Sequence, residues 1–229
     1  MLNVISIVML VSITVWWFLV RRLREKPWIK QGVIPGSQEG LTSSAPKVAL
    51  WFFLAMVSSL FGLFASAYML RMTDSHPGLA AWQPLDEPSI LWVNTLILVV
   101  ASAAMQIARA RADQGDLQGV RNYFTSAGVL TLVFLAGQVL AWRLANASGQ
   151  YGPGSASYSF FVLLTAVHGL HLVGGLFVLA RTASRVWRGV GLNSVVARSQ
   201  IRLSVQLCTL YWHWLLLIWL GIFALLLST

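Results

Sequence analysis

Sorted only into apolar and polar positions, the chain falls into six long apolar runs, at about residues 3–20, 48–70, 90–108, 123–142, 157–180 and 203–227. A helix needs about 20 mostly apolar residues to cross the hydrocarbon of a bilayer. Each run has that length or nearly so. The runs are apolar all round rather than alternating, and a backbone in lipid must satisfy its own hydrogen bonds, so the pattern predicts helices and not barrel strands. The expected fold is all-α, a polytopic membrane bundle of six transmembrane helices.

The segments between the runs divide the chain. In the first run the positive charges follow the apolar stretch and no small-residue cleavage site closes it, so residues 1–22 read as a retained anchor helix rather than a secretory signal. Residues 23–47, with "PWIKQGVIPGSQEGLTSSAPK", read as a flexible cytoplasmic linker. Residues 48–229 then form a five-helix bundle. The pattern contains no inverted repeat of the kind that marks many transporters.

Composition supports a membrane protein: 57% of the 229 residues are hydrophobic, 10% are charged, and the mean hydropathy is +0.72. The net charge of +9 would suggest nucleic acid in a soluble protein. Here its distribution explains it. All the basic residues but Arg71 and Arg143 lie in the first, third and fifth connections, including Arg21, Arg22, Arg109, Arg111, Arg121, Arg181, Arg185 and Arg202. By the positive-inside rule these connections are cytoplasmic, both termini face the periplasm, and the expected location is a bacterial inner membrane. No nucleic-acid partner is expected. Cys208 is the single cysteine, which excludes an internal disulfide and a thiolate metal cluster.

Candidate chemistry is sparse. All seven acidic residues fall outside the proposed spans, and a carboxylate at a helix centre costs about 2.5–3.5 kcal/mol and is kept for function. A self-contained proton pump or cation carrier is therefore disfavoured. The polar residues left inside the spans are His168, His171, His213, Asn94, Thr95, Gln106, Gln138 and Gln206. His168 and His171 project from one helical face with Gly175, and Gly169, Gly174 and Gly175 would let a neighbouring helix approach closely. One reading makes the histidines metal or haem ligands together with His213. Two ligands on one helix face cannot bind opposite sides of a haem, and no acid or thiolate is at hand to complete a zinc site. The other reading has neutral histidines hydrogen-bonded to adjacent helices or to a lipid headgroup. Trp16, Trp17, Trp51, Trp92, Trp142, Tyr151 and Tyr158 cluster near span ends, as interface anchors do.

Five stretches share a further pattern. "AVHGLHLVGG" (166–175) resembles the "FHGLHVxxG" signature of the haem-copper oxidase subunit III family, the cytochrome c oxidase type. "LWFFLAMVSSLFGLFASAYMLR", "VNTLILVVAS", "LVFLAGQVLAW" and "YWHWLLLIWLGIF" are similar, in order and spacing, to the family's "MWLFLASEVMLFAGLFAAYFxLR", "LNTxLLLxSS", "xxFLxxQxxEW" and "YWHFVDxVWxxLF". The resemblance runs from about 48 to 228. It implies a non-catalytic subunit with no cofactor of its own. Haem and copper belong to the partner subunits, while this type of chain packs on the catalytic subunit I, holds phospholipid in a cleft between helices and supports sustained turnover in aerobic electron transport. His168, His171, Gly175, Trp212, His213, Asn94 and Gln138 are then lipid or packing residues, with no catalytic, cofactor-binding or metal-binding residue in the chain.

The chain also departs from that family. Val57, Ala141 and Leu216 stand where the family carries acids, and six spans differ from its usual seven or five. The alternatives are an accessory subunit of a nitric oxide reductase-type complex and a bis-His membrane cytochrome.

Overall fold

A computed structural model describes residues 38–73, 82, 89–147, 155–187 and 195–228. Of the two compact units in the chain, Met1–Thr42 and Ser43–Thr229, the second carries the features below. The expected anchor helix lies outside the described residues, as do Trp16, Trp17 and Tyr151. Five helices are present among the described residues: α1 (Gln38–Thr73), α2 (Ile90–Gln114), α3 (Leu117–Ala147), α4 (Ala156–Trp187) and α5 (Val195–Leu227). All five are long and apolar enough to cross a membrane.

Each helix contains its expected span and overruns it. At 25 to 36 residues they extend about 38–54 Å, more than the 30 Å of hydrocarbon requires. Hydropathy marks where lipid ends, whereas a helix ends where its backbone finds a cap. The expected connection around Arg109, Arg111 and Arg121 shrinks to Gly115 and Asp116. Gly115 takes a left-handed φ of 80°, its N–H donates to Ala112 O, and the Asp116 N–H donates to Arg111 O, which closes α2 as a Schellman turn. Asp116 then caps α3 by accepting the Gly119 N–H at 2.9 Å. Residues 38–47, the end of the expected linker, are likewise helical and include Pro46. Pro46 forfeits one backbone bond, and the long apolar run that follows carries the helix through it.

Helices α2 to α5 form a closed ring in which each packs on the next and α5 packs on α2. All four contacts are antiparallel. Across α3 and α4, Trp142 meets Thr165 and Gly128 meets Leu179; across α4 and α5, Thr182 meets Cys208 and Gly175 meets Tyr211. All the basic residues of α2, α3, α4 and α5 except Arg143 thus gather at one end of the bundle. Two cap neighbouring helices there: Arg202 donates to Ala112 O and Asp113 O at the end of α2, and Arg121 to Trp187 O at the end of α4.

Three tryptophans tie the ring together. The Nε1–H groups of Trp142, Trp212 and Trp219 donate to the hydroxyls of Thr165, Thr131 and Thr95 at 2.9, 3.3 and 2.9 Å, each on a different helix from its donor. Every one of these hydroxyls in turn donates to the carbonyl four residues before it, at Phe161, Ala127 and Leu91. Trp142 is therefore tied inward and is not a simple interface anchor, while Trp51 and Trp92 are exposed as anchors would be. Tyr158 packs beside Phe161.

Helix α1 stands apart. None of its Cα atoms comes within 8 Å of another described helix, and only 17% of its apolar window is buried against 33–39% for the others. Large side chains bridge the gap: Phe61 reaches His168 and His171, Phe53 reaches His171 and Tyr211, and Tyr68 reaches Phe160.

Two tests follow from this packing. Trp219→Phe keeps most of the ring volume and removes one donor, so it should cost about 1–2 kcal/mol, read by SDS titration of the chain in mixed micelles. Among the glycines, a Cβ on Gly175 would lie 2.7 Å from Tyr211 Cε1, whereas one on Gly174 meets nothing within 4 Å. In the same assay Gly175→Ala should destabilise by about 1–3 kcal/mol and Gly174→Ala should be neutral or gain up to about 1 kcal/mol. Among the described residues no helix takes up the approach that Gly174 was expected to allow.

Candidate functional site

The residues singled out in the sequence separate into three places. The first is the middle of the ring, where His168, Asn94 and Gln138 are all buried. His168 has rings on three sides, with Trp219 at 5.3 Å, Phe134 at 6.0 Å and Phe61 at 6.3 Å between centroids. Neither of its nitrogens has a hydrogen-bond partner among the described residues. The expectation of a histidine bonded to an adjacent helix therefore does not hold at this position. The aromatic ring positions fill its surroundings with apolar faces.

The second place is the outer face between α2 and α5. His213 donates from Nε2 to Gln106 Oε1 at 3.1 Å, which leaves Nδ1 as the acceptor for the Ser102 hydroxyl. This is the neutral tautomer with both nitrogens engaged. A haem held by His213 and either of the α4 histidines would have to displace one of these two bonds. Among the described residues, no group of three or more His, Cys, Asp or Glu side chains could hold a metal ion.

The third place is a cleft of about 580 Å³ between α1 on one side and α4 and α5 on the other. Leu50 and Phe53 line it from α1, Leu170, His171 and Val178 from α4, and Leu207 and Tyr211 from α5. Its floor forms where Gly175 lets the rings of Tyr211 and Trp212 come against α4. Tyr211 donates to His171 O at 2.9 Å and His171 Nδ1 bonds to Val167 O at 2.7 Å, so the Tyr211 hydroxyl and His171 Nδ1 are both engaged on α4. Arg181 and Arg185, one turn apart on α4, line the same cleft toward the basic end of the bundle. From His171 to Arg185 the wall runs about 21 Å, close to half the 40–45 Å of a bilayer with its headgroups. A cleft between helices is what the resemblance implies; its place against α1 could not be foreseen, because it depends on α1 being held away from the ring, which no local pattern encodes.

Of the three positions at which the resemblance puts acids, two are interior and one is half-buried. Val57 and Ala141 are buried, and Leu216 packs against the same core. Val57 lies one turn from Phe61, the residue that touches both α4 histidines. Apolar side chains here avoid the cost of enclosing carboxylates.

Comparison with known proteins agrees with the motifs. Residues 1–228 match the family model for cytochrome c oxidase subunit III, so the likeness also covers the N-terminal 47 residues, where no motif was recognised. The chain is 29% identical over 173 residues to a probable cytochrome c oxidase subunit 3 of Mycobacterium leprae, covering 73% of this chain and 81% of the relative. It is 29% identical over 182 residues to cytochrome c oxidase subunit 3 of Thermostichus vulcanus, covering 78% and 85%. A probable cytochrome c oxidase subunit 3 of Mycobacterium tuberculosis is 32% identical over 133 residues, 56% of this chain and 61% of that one. With a match over almost its whole length, the chain belongs to the cytochrome c oxidase subunit III family.

Proposed function

We propose that this chain is a non-catalytic membrane subunit of a haem-copper oxidase, packs on the catalytic subunit that carries the haem and copper, and holds phospholipid in the cleft between α1 and the ring. The cleft carries this reading. It is mostly apolar, about one leaflet long, and has two guanidinium groups at the level where a headgroup would lie. Arginine suits an anionic phosphodiester because it offers a planar fork of donors. On this reading the basic end of the bundle faces the cytoplasm, and residues 1–22 and 23–37 supply an anchor helix and a connection to α1. His171, Gly175 and Trp212 shape the cleft wall, while Asn94, Gln138, His168 and His213 hold the ring together.

Purified in mild detergent, the chain should travel with a larger haem-bearing polytopic subunit; isolation as a lone stable species would contradict the proposal. Mass spectrometry of lipids retained by the complex tests the cleft. Arg181→Ala with Arg185→Ala should reduce bound anionic phospholipid several-fold and leave neutral lipid unchanged, and an unaltered lipid complement would contradict lipid binding in the cleft. His171→Ala should lower lipid retention or assembly while the haem spectrum of the assembled enzyme persists. Full assembly together with loss of the haem signal would instead restore a ligand role.

A further inference from the structure

Three helices of the ring bury polar atoms that have no hydrogen-bond partner among the described residues: Asn94 Nδ2, Gln138 Nε2 and Oε1, and His168 Nδ1 and Nε2. Asn94 and Gln138 are 2% exposed and His168 is 0% exposed. The packing register places them at one level. On α3, Phe134 touches His168 and Trp142 bonds Thr165, so Gln138, midway between them on the buried face, lies opposite the turn of α4 from Thr165 to His168. Asn94 packs against Gly137, the neighbour of Gln138. Trp219 of α5 closes the layer by touching His168 and Phe134 and bonding Thr95, the neighbour of Asn94.

Buried polar atoms in folded proteins are nearly always paired, and each exception calls for an explanation. The donors here are two carboxamide NH₂ groups and one imidazole N–H; the acceptors are one carboxamide oxygen and one imidazole nitrogen. Direct pairing of Gln138 with His168 would satisfy one donor and one acceptor and leave the rest unmatched. A cation would face amide N–H groups with no carboxylate to offset it. An anion would face the Gln138 oxygen and carry the cost of an enclosed charge. A neutral molecule that both donates and accepts matches the set.

We propose that the layer of Asn94, Gln138 and His168 binds ordered water inside the ring, with one or two molecules bridging the two carboxamides and the imidazole. Water is small enough to enter such a layer and typically makes about three bonds when enclosed. The site is separate from the cleft, so it stands whether or not the lipid reading does.

The intact oxidase complex, imaged finely enough to show ordered solvent, should reveal discrete density about 2.7–3.2 Å from the Gln138 carboxamide and from a His168 nitrogen. A dry layer with Gln138 turned directly onto His168 would overturn the proposal. The second measurement is the temperature at which this subunit leaves the complex, for Gln138→Leu, His168→Phe and the double variant. A shared water predicts that each single change lowers it by a few degrees and that the double change lowers it by less than the sum, because the second change breaks a network already broken. Additive losses, or a rise with either single change, would show side chains that are merely unpaired and would refute bound water.

Discussion

A backbone surrounded by lipid has no solvent to bond with, and the ring of α2 to α5 meets that constraint with side chains that do two things at once. The hydroxyls of Thr95, Thr131 and Thr165 donate to their own helix and accept an indole N–H from another. The large tryptophan ring thereby gains a fixed orientation as well as buried area. Without these pairings, Trp142, Trp212 and Trp219 would bring unpaired donors into the interior, and the aromatic surroundings of His168 would lose Trp219 as a defined wall. The remaining polar layer of Asn94, Gln138 and His168 is tolerable only within so closely determined a frame.

The chain's departures from its family fit the same constraint. An acid at position 57 would be buried one turn from Phe61, which touches both α4 histidines. Here that place is apolar, and so are positions 141 and 216. Polar character in the interior is therefore carried by neutral carboxamides, hydroxyls and imidazole. Charge is confined to the helix ends, where Arg121 and Arg202 donate to carbonyl groups in the last turns of α4 and α2.

Much of the fold was legible in the chain's periodicity because lipid imposes a length and a polarity that any crossing segment must obey. All five spans between 48 and 227 lie inside observed helices, and the "HGLH" and "YWH" motifs led to the correct family. Helix ends were less legible, since Gly115 and Asp116 stop and start helices by local capping well past the apolar boundary. Side-chain partners were least legible. Trp142 near a span end has the composition of an anchor and the geometry of a cross-link, and nothing in "AVHGLH" tells that His171 faces a cleft while His168 lies unbonded among rings. Those distinctions arise from which helix passes behind each residue.

The separation of α1 from the ring gives the cleft an unusual kind of adjustability. Where helices touch backbone to backbone, spacing is fixed by small residues and changes only when the whole contact shifts. Here the spacing is set by Phe53, Phe61 and Tyr68, side chains that reach across an interval no main chain closes. The gap thus behaves as a caliper whose jaws are aromatic rings. Exchanging one ring for a smaller or larger side chain would change the width of the gap while leaving the four-helix frame, its tryptophan ties and its capped ends as they are.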